Sequence, residues 1–257
     1  MKPVLLVLAS AALAAQAAPA TQLKIVPAEV AKVDLGKLKG AMASQLAWSP
    51  DAKQLYLQTL TEDKQALPKD YYHYVISAEG GAFEKVGAPP DWAVAYWSWK
   101  QGKTAPGDTA FAIALSEESK VASPVALPMA GEMAKGGTSA GTGGASNDAM
   151  AAAAMSSSNA KIYSFVLKGE IIGEWVNHRI MPGVTFGWGP PGSHLVAYAE
   201  KQTGRLVIMD STGAKQKIDG THAVILPAWT PDASKLAYLE GRGRNLYALI
   251  VATVGPR

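Results

Sequence analysis

One spacing of residues occurs three times in this 257-residue chain and constrains its fold more than any other feature. A tryptophan is followed two residues later by proline and seven residues later by leucine, in Trp48-Ser-Pro-Asp to Leu55, Trp188-Gly-Pro-Pro to Leu195 and Trp229-Thr-Pro-Asp to Leu236. A degenerate copy, Trp97-Ser-Trp99, lies 49 residues after Trp48, and Trp188 and Trp229 are 41 residues apart. Periods of about 40 to 50 residues are typical of solenoids and propellers.

Each copy predicts two β-strands joined by a tight turn. The tryptophan ends an apolar segment, the proline suits the first central position of a turn, and Asp51 or Asp232 can hydrogen-bond the nearby backbone. Apolar residues then resume in alternation or in short runs, which indicates a second strand. A third strand and a weaker fourth one complete a four-stranded antiparallel unit. A β-sandwich with chance tryptophan placement is the alternative.

These segments resemble a known repeat. Leu46-Ala-Trp-Ser-Pro-Asp-Ala-Lys-Gln-Leu55 and Pro227-Ala-Trp-Thr-Pro-Asp-Ala-Ser-Lys-Leu236 are similar to the W-S-P-D-G-x-x-L repeat of TolB-like β-propellers. Alanine replaces the glycine of that pattern at Ala52 and Ala233, and Pro191 replaces its aspartate in the third copy. The resemblance implies a propeller fold and an adaptor role in the cell envelope.

The first 17 residues predict a cleavable signal peptide. Lys2 provides the positive charge, Val4 to Ala15 an apolar core too short to span a membrane, and Ala15-Gln-Ala17 the cleavage site. We therefore expect a mature chain that begins at Ala18 and is periplasmic or secreted. Because the sequence has no cysteine, it has no thiol for a lipid anchor, a disulfide or a metal.

The mature chain, residues 18–257, is expected to form a single all-β domain. Residues from about 129 to 160 are mostly Gly, Ala, Ser, Thr and Met, and this composition predicts a flexible low-complexity insertion. The remaining length divides into four units of about 50 residues, although five blades also fit. Leu23 to Leu35 is expected to pair with the C-terminal strand, so that the two termini close the propeller and remove an open sheet edge.

A propeller places the loops between second and third strands, and the loops between blades, on one face. We expect this face to bind a protein or envelope partner, because it would collect cations, histidines and an aromatic residue. The predicted partner-binding residues are Trp92, His178, Arg179, Lys201, Arg205, His222, Arg242 and Arg244. Ordinary solubilising loop residues are the alternative interpretation, and a formal net charge of +3 is too small for a nucleic-acid binder.

The sequence provides no convincing catalytic, cofactor or metal motif. Gly137-Thr-Ser139-Ala-Gly141 matches the hydrolase pattern G-x-S-x-G but lies inside the low-complexity segment. The histidines lack the short spacing of a metal site, and the glycines lack the context of a phosphate-binding loop. We therefore expect a non-catalytic adaptor without a cofactor. A glycan or small-ligand sensor is one alternative, and a glycan-processing enzyme that uses Asp91 and Glu240 is another.

Overall fold

A computed structural model describes residues 22–63, 68–100, 104–119, 161–176, 179–180 and 186–256. The predicted signal peptide, the low-complexity segment and His178 lie outside these residues. The described residues form an all-β architecture of four four-stranded antiparallel sheets, one short hairpin and one helix. The all-β prediction is therefore confirmed for this part of the chain.

The four sheets follow the chain in units, as the repeat predicts. Sheet I has the order β2 (Met42–Trp48), β3 (Gln54–Glu62), β4 (Pro68–Ser77) and β5 (Glu84–Val86). Sheet II contains β8 (Ala114–Ser119), β9 (Lys161–Leu167), β10 (Glu170–Val176) and β11 (Arg179–Ile180). Sheet III has β12 (Phe186–Trp188), β13 (Leu195–Ala199), β14 (Leu206–Asp210) and β15 (Lys215–Lys217).

Sheet IV combines the two ends of the described chain. Its order is β16 (Val224–Trp229), β17 (Lys235–Gly243), β18 (Leu246–Pro256) and β1 (Leu23–Asp34). The outer pair is antiparallel and runs from Leu23 opposite Pro256 to Asp34 opposite Leu246. The N-terminal strand thus supplies the fourth strand that the C-terminal unit needs, and its pairing protects an edge of β18.

Two of the repeat turns are built identically. In the first, the Ser49 hydroxyl donates to Asp51 Oδ1 (2.6 Å) and accepts a hydrogen bond from the Gln54 N–H (2.9 Å). In the last, Thr230 bonds Asp232 and the Lys235 N–H at the same two distances. In these two copies, the serine or threonine that follows the tryptophan therefore closes the turn.

The residue four positions after each tryptophan adopts a left-handed backbone. Ala52 has φ 56°, Ala233 φ 59° and Gly192, in the third copy, φ 80°. Glycine reaches this conformation without strain, whereas alanine does so at a cost. The two alanines therefore keep the turn of the W-S-P-D-G pattern despite the lost glycine.

Each repeat tryptophan is buried between sheets. The Trp48 cluster joins apolar residues of sheets I and IV, the Trp229 cluster joins sheets IV and III, and the Trp188 cluster joins sheets III and II. The first strands also touch one another: β16 contacts both β2 and β12. The tryptophans thus fix each sheet against the next one.

The segment after Pro90 departs from our prediction. Trp97 and Trp99 were expected in a strand, but residues Asp91–Lys100 form helix α1. The Pro90 carbonyl accepts hydrogen bonds from the Ala93 and Val94 N–H groups, and the acidic Asp91 suits the positive end of a helix. The helix contacts both β2 and β12. It is followed by the hairpin β6 (Thr104–Ala105) and β7 (Asp108–Ala112).

Candidate functional site

Two neighbouring loops meet at the edge of sheets III and IV. The β13–β14 loop and the β15–β16 loop touch at Gly204, whose carbonyl accepts a hydrogen bond from the Val224 N–H (2.9 Å). Gly204 has φ 64°, and a side-chain carbon there would lie 2.7 Å from the Ala223 nitrogen. Only glycine allows this approach, so the loop that contains His222 is fixed against its neighbour.

A buried threonine fixes the other side of His222. The Thr221 hydroxyl donates to the Ile218 carbonyl (2.7 Å) and accepts from the Leu206 N–H (3.0 Å). On the opposite side, Ala223 has a left-handed backbone (φ 45°) and accepts a hydrogen bond from the Gly241 N–H. The imidazole of His222 therefore projects from an anchored backbone.

The strand β17 presents charged groups to this loop. Tyr238 and Glu240 lie on one face of the strand, because side chains alternate between faces. Burial is the first cause that raises the pKa of Tyr238, to about 12, and the negative charge of Glu240 adds to it. Glu240 itself is buried, with 5% of its surface exposed. A carboxylate thus lies at the buried end of the apolar face.

Glu240 holds a cluster of charges together. Its Oε1 lies 2.7 Å from His222 Nδ1 and 3.6 Å from Arg242 Nη1, while Arg242 Nη2 lies 3.7 Å from Glu29 Oε2. Within the described part of the chain, Glu240 Oε1 accepts no well-aligned hydrogen bond. We call these four residues the Glu240 cluster.

Solvent exposure within the cluster increases from Glu240 to Arg242 and His222. Only 6% of the Glu240 side chain is exposed, against 43% of Arg242 and 56% of His222. Burying an unpaired carboxylate costs several kcal/mol, and the contacts of Glu240 with Arg242 and His222 offset part of this desolvation. In return, Glu240 attracts the inner ends of both side chains and leaves their outer ends in solvent.

The structure brings together some of the predicted partner-binding residues. His222 and Arg242 belong to the Glu240 cluster, and Arg244 is exposed in the nearby β17–β18 turn. Lys201 and Arg205 are exposed in the β13–β14 loop. We define the loop face as residues 200–205, 218–223 and 241–245.

The other three predicted residues, Trp92, His178 and Arg179, do not belong to the loop face as defined. Trp92 was expected to be exposed, but it is half-buried in α1, where its ring meets the Tyr56 ring edge-on at 6.3 Å. The backbone of Arg179 pairs with Val176 in sheet II, and His178 lies outside the described residues.

Sequence reasoning missed two members of the cluster as partners of His222. Glu240 was considered only as an isolated acid or base, and Glu29 was not considered. A detectable signal was available for Glu240, since it directly follows the apolar run Leu236–Leu239 in a predicted strand. A charge at the end of a buried face marks the place where that face meets solvent.

A second polar network lies within sheet I. Ser44 Oγ donates to Gln58 Oε1 (2.9 Å), Gln58 Nε2 donates to the Tyr56 oxygen (3.2 Å), and Tyr56 is 2.7 Å from His73 Nδ1. The Tyr56 hydroxyl thus links the Gln58 amide to the His73 ring. Burial raises the pKa of Tyr56 to about 12 and lowers the pKa of His73. The chain of donors satisfies polar groups in the core.

Among the described residues, no group of three or more His, Asp or Glu side chains is arranged to hold a metal ion. Asp91 stands in the first turn of α1, and no ion pair or hydrogen bond in the described ranges connects it with Glu240. The serine motif around Ser139 lies outside the described residues.

No helix in the described part of the chain has the length and apolar character needed to cross a membrane.

Comparisons with known proteins give no family. No protein-family model matches the sequence, and no curated protein matches it. A solved structure of oligogalacturonate lyase in complex with manganese is similar over 83% of this chain and 48% of its own, with 12% identity and a TM-score of 0.23. This chain therefore spans about half the length of that protein. So low a TM-score supports no conclusion about fold or function.

Proposed function

We propose that this protein is an exported, non-catalytic four-bladed β-propeller that binds a protein or envelope partner through its loop face. The proposal takes sheets I to IV as the blades. It follows the TolB-like repeat in its architecture and in its adaptor role, and takes residues 1–17 as a cleaved signal peptide.

The packing of the first strands supports a propeller. β16 contacts both β2 and β12, and α1 contacts the same two strands. These four elements would therefore surround the propeller axis, with α1 in the place of one inner strand. The pairing of β1 with β18 would join the chain ends within one blade, which is how many propellers close their ring.

The Glu240 cluster is the observation that supports partner binding most. A buried carboxylate destabilises a fold unless its charge is offset by neighbouring groups, so Glu240 calls for an explanation beyond packing. Here it holds Arg242 and His222 at the surface, where Lys201, Arg205 and Arg244 add positive charge. Fixed charged groups of this kind suit recognition of a partner.

The test is capture of a partner from an envelope extract with the mature protein. The wild-type protein should recover one specific protein, and the Arg242→Ala/Arg244→Ala double variant should recover none. A matched control is Lys53→Ala/Lys235→Ala, which removes two cations beside the repeat turns and should capture normally. Equal capture by both double variants would contradict a role for the loop face.

Export is tested separately. The N-terminal sequence of the protein recovered from the cell envelope or medium should begin at Ala18. A full-length protein confined to the cytoplasm would overturn that part of the proposal. An envelope extract that yields no captured protein would instead favour the glycan or small-ligand alternative, which glycan screening would address.

A further inference from the structure

We infer that Arg242 and His222 form a binding site for a carboxylate, supplied by an acidic peptide segment of the partner. The inference rests on the proposed function and names the chemistry of the group that the loop face recognises.

The guanidinium of Arg242 is oriented by two carboxylates but makes no hydrogen bond to either of them. It lies 3.6 Å from Glu240 and 3.7 Å from Glu29, and both distances exceed those of a hydrogen bond. Arginine has five N–H donors in a rigid fork, which matches the two oxygens of a carboxylate. Charge attraction thus orients Arg242 while its donors stay open to an incoming acceptor.

In its protonated form, His222 provides a second donor beside it. Its Nδ1 faces Glu240, so Nε2, on the other side of the ring, points away from the carboxylate. The imidazole in its protonated form donates from both nitrogens. Because Nδ1 of His222 and Nη1 of Arg242 approach the same oxygen of Glu240, the two side chains are close neighbours. One carboxylate could therefore contact both.

The site is rigid before any ligand arrives. Thr221 anchors the backbone before His222, and the contact of Gly204 with Ala223 anchors it afterwards. Arg242 lies at an irregularity of β17, between Gly241 and Gly243, whose backbones pair with Tyr247 and Leu246 of β18. A preorganised site loses less conformational entropy on binding, so even two hydrogen-bonding groups can add useful affinity.

The surrounding charges favour an anion. Glu200 is neutralised by Lys217 at 2.6 Å, and hydrogen bonds from Lys217 and Thr203 are the main causes that lower its pKa. The loop face carries four cations, Lys201, Arg205, Arg242 and Arg244, against two acidic residues, Glu200 and Asp219, which is an excess of two positive charges before Glu240 and Glu29 are counted. An acidic peptide would meet these cations along its length, and each of its carboxylates matches the fork of an arginine.

The carboxylate of Glu29 competes with the ligand for Arg242. Glu29 is 41% exposed and contacts Arg242 only by charge. A ligand carboxylate must share Arg242 with it, so the change Glu29→Gln should release the guanidinium and strengthen binding. A change that improves binding is more informative than a loss, because a misfolded variant cannot produce it.

The experiment is a fluorescence anisotropy titration of the mature protein with a labelled oligoglutamate peptide at low salt. Arg242→Ala should weaken binding by roughly tenfold, and Arg242→Lys, which keeps the charge but loses the fork, by several-fold. Glu29→Gln should tighten binding, while Lys53→Ala and Glu79→Gln, which alter exposed charges elsewhere, should leave it unchanged.

Two results would overturn the inference. One is equal affinity of the wild-type protein and Arg242→Ala for the peptide. The other is displacement of the peptide by inorganic phosphate at a lower concentration than by free glutamate, which would make the site a phosphate site. Failure of the inference is distinct from failure of the proposed function: partner capture that depends on Arg242 and Arg244 would stand even if oligoglutamate did not bind.

Discussion

The indole Nε1 of Trp48 donates a hydrogen bond to the carbonyl oxygen of Ala228, 2.8 Å away on the first strand of the neighbouring sheet. This bond is buried and joins sheets I and IV directly. Trp229, which occupies the same place in its own repeat, is equally buried, yet its Nε1 has no hydrogen-bond partner among the described residues. The two tryptophans occupy equivalent positions, but only the indole N–H of Trp48 has a hydrogen-bond acceptor among the described residues.

This difference predicts unequal effects of the same substitution. Trp48→Phe should lower the free energy of unfolding by about 1–3 kcal/mol more than Trp229→Phe, because it also leaves the Ala228 carbonyl without that donor. Trp229→Ala should cost roughly 3–5 kcal/mol through lost burial and the cavity left behind. Urea denaturation of the three variants measures both effects. Equal costs for the two phenylalanine variants would show that the Trp48 bond adds no stability.

The hydroxyl of Tyr96 should stabilise the docking of α1. Tyr96 is buried, and its O–H donates to the Trp229 carbonyl at 2.7 Å. Tyr96→Phe keeps the ring and removes the donor, so it should cost about 1–3 kcal/mol in thermal or urea denaturation. Tyr71→Phe, at an exposed position of sheet I, is the matched control and should have little effect. An unchanged stability of the Tyr96 variant would mean that this bond is not formed in solution.

The side chain of Gln216 should stabilise the contact between sheets III and IV. Its side chain accepts from the Leu23 N–H (2.8 Å) and donates to the Leu23 carbonyl (2.7 Å). Gln216→Ala removes both bonds and should cost roughly 1–2 kcal/mol. Gln216→Glu keeps an acceptor but loses the donor, so its stability should lie between that of the wild type and that of Gln216→Ala. Hydrogen exchange at the Leu23 amide should speed up in Gln216→Ala; unchanged protection there would argue against this role of Gln216.

The left-handed backbone at Ala52 and Ala233 predicts that glycine at either position will not reduce stability. At Ala52 and Ala233, with φ 56° and 59°, glycine should relieve backbone strain and offset its greater freedom in the unfolded chain. Ala52→Gly and Ala233→Gly should therefore leave the free energy of unfolding unchanged or raise it by up to about 1 kcal/mol. Ala43→Gly, in a buried strand, should lower it. A similar loss in all three variants would contradict the turn geometry.

The repeat turns should also make stability depend on acid. Hydrogen bonds from Thr230 and then Ser234 lower the pKa of Asp232 to about 2, below its value in an unfolded chain. A carboxylate whose folded pKa is depressed contributes stability above the unfolded pKa, and this contribution disappears as pH falls from about 4 to about 2. Because Asp232 is exposed, solvent screening keeps the effect modest.

Asp232→Asn tests this prediction. The variant should be less stable than the wild type at about pH 5, and the difference should shrink towards about pH 2. Thermal unfolding at three pH values in this range measures it. A constant difference across the range would show that the charge of Asp232 does not contribute to the turn.

The sequence was most informative where the residues act locally. The Trp-x-Pro spacing predicted the turns, because Ser49, Asp51 and their counterparts act within a few residues of the chain. The apolar alternation after each turn predicted the second strands for the same reason. The pairing of β1 with β18 followed from counting strands rather than from any local signal.

Helix α1 was missed although its start was visible. Pro90 followed by Asp91 is a signal for the beginning of a helix, but the alternating tryptophans of 97–99 favoured a strand. The resemblance to the repeat gave that alternation too much weight. Long-range contacts, such as that of Tyr96 with Trp229, decide such cases, and they leave no trace in the local pattern.

The Glu240 cluster depends on long-range geometry in the same way. Glu29 and Arg242 are more than 200 positions apart in the chain, and only the strand order of sheet IV brings them together. His222 comes close to Glu240 because the Gly204 contact sets the path of its loop. Sequence reasoning could place His222 and Arg242 on a common face, but it could not name the carboxylate that joins them.

The pairing of β1 with β18 sets a limit on when the molecule can finish folding. A ribosome makes Leu23 early and Pro256 last of the residues in that ladder, and the two lie opposite each other in the finished sheet. Sheets I and III can assemble from residues made close together in time, but sheet IV must wait for its last strand. Until then β1 and β17 each have an unpaired edge, and the newly made chain would need protection from aggregation throughout that interval.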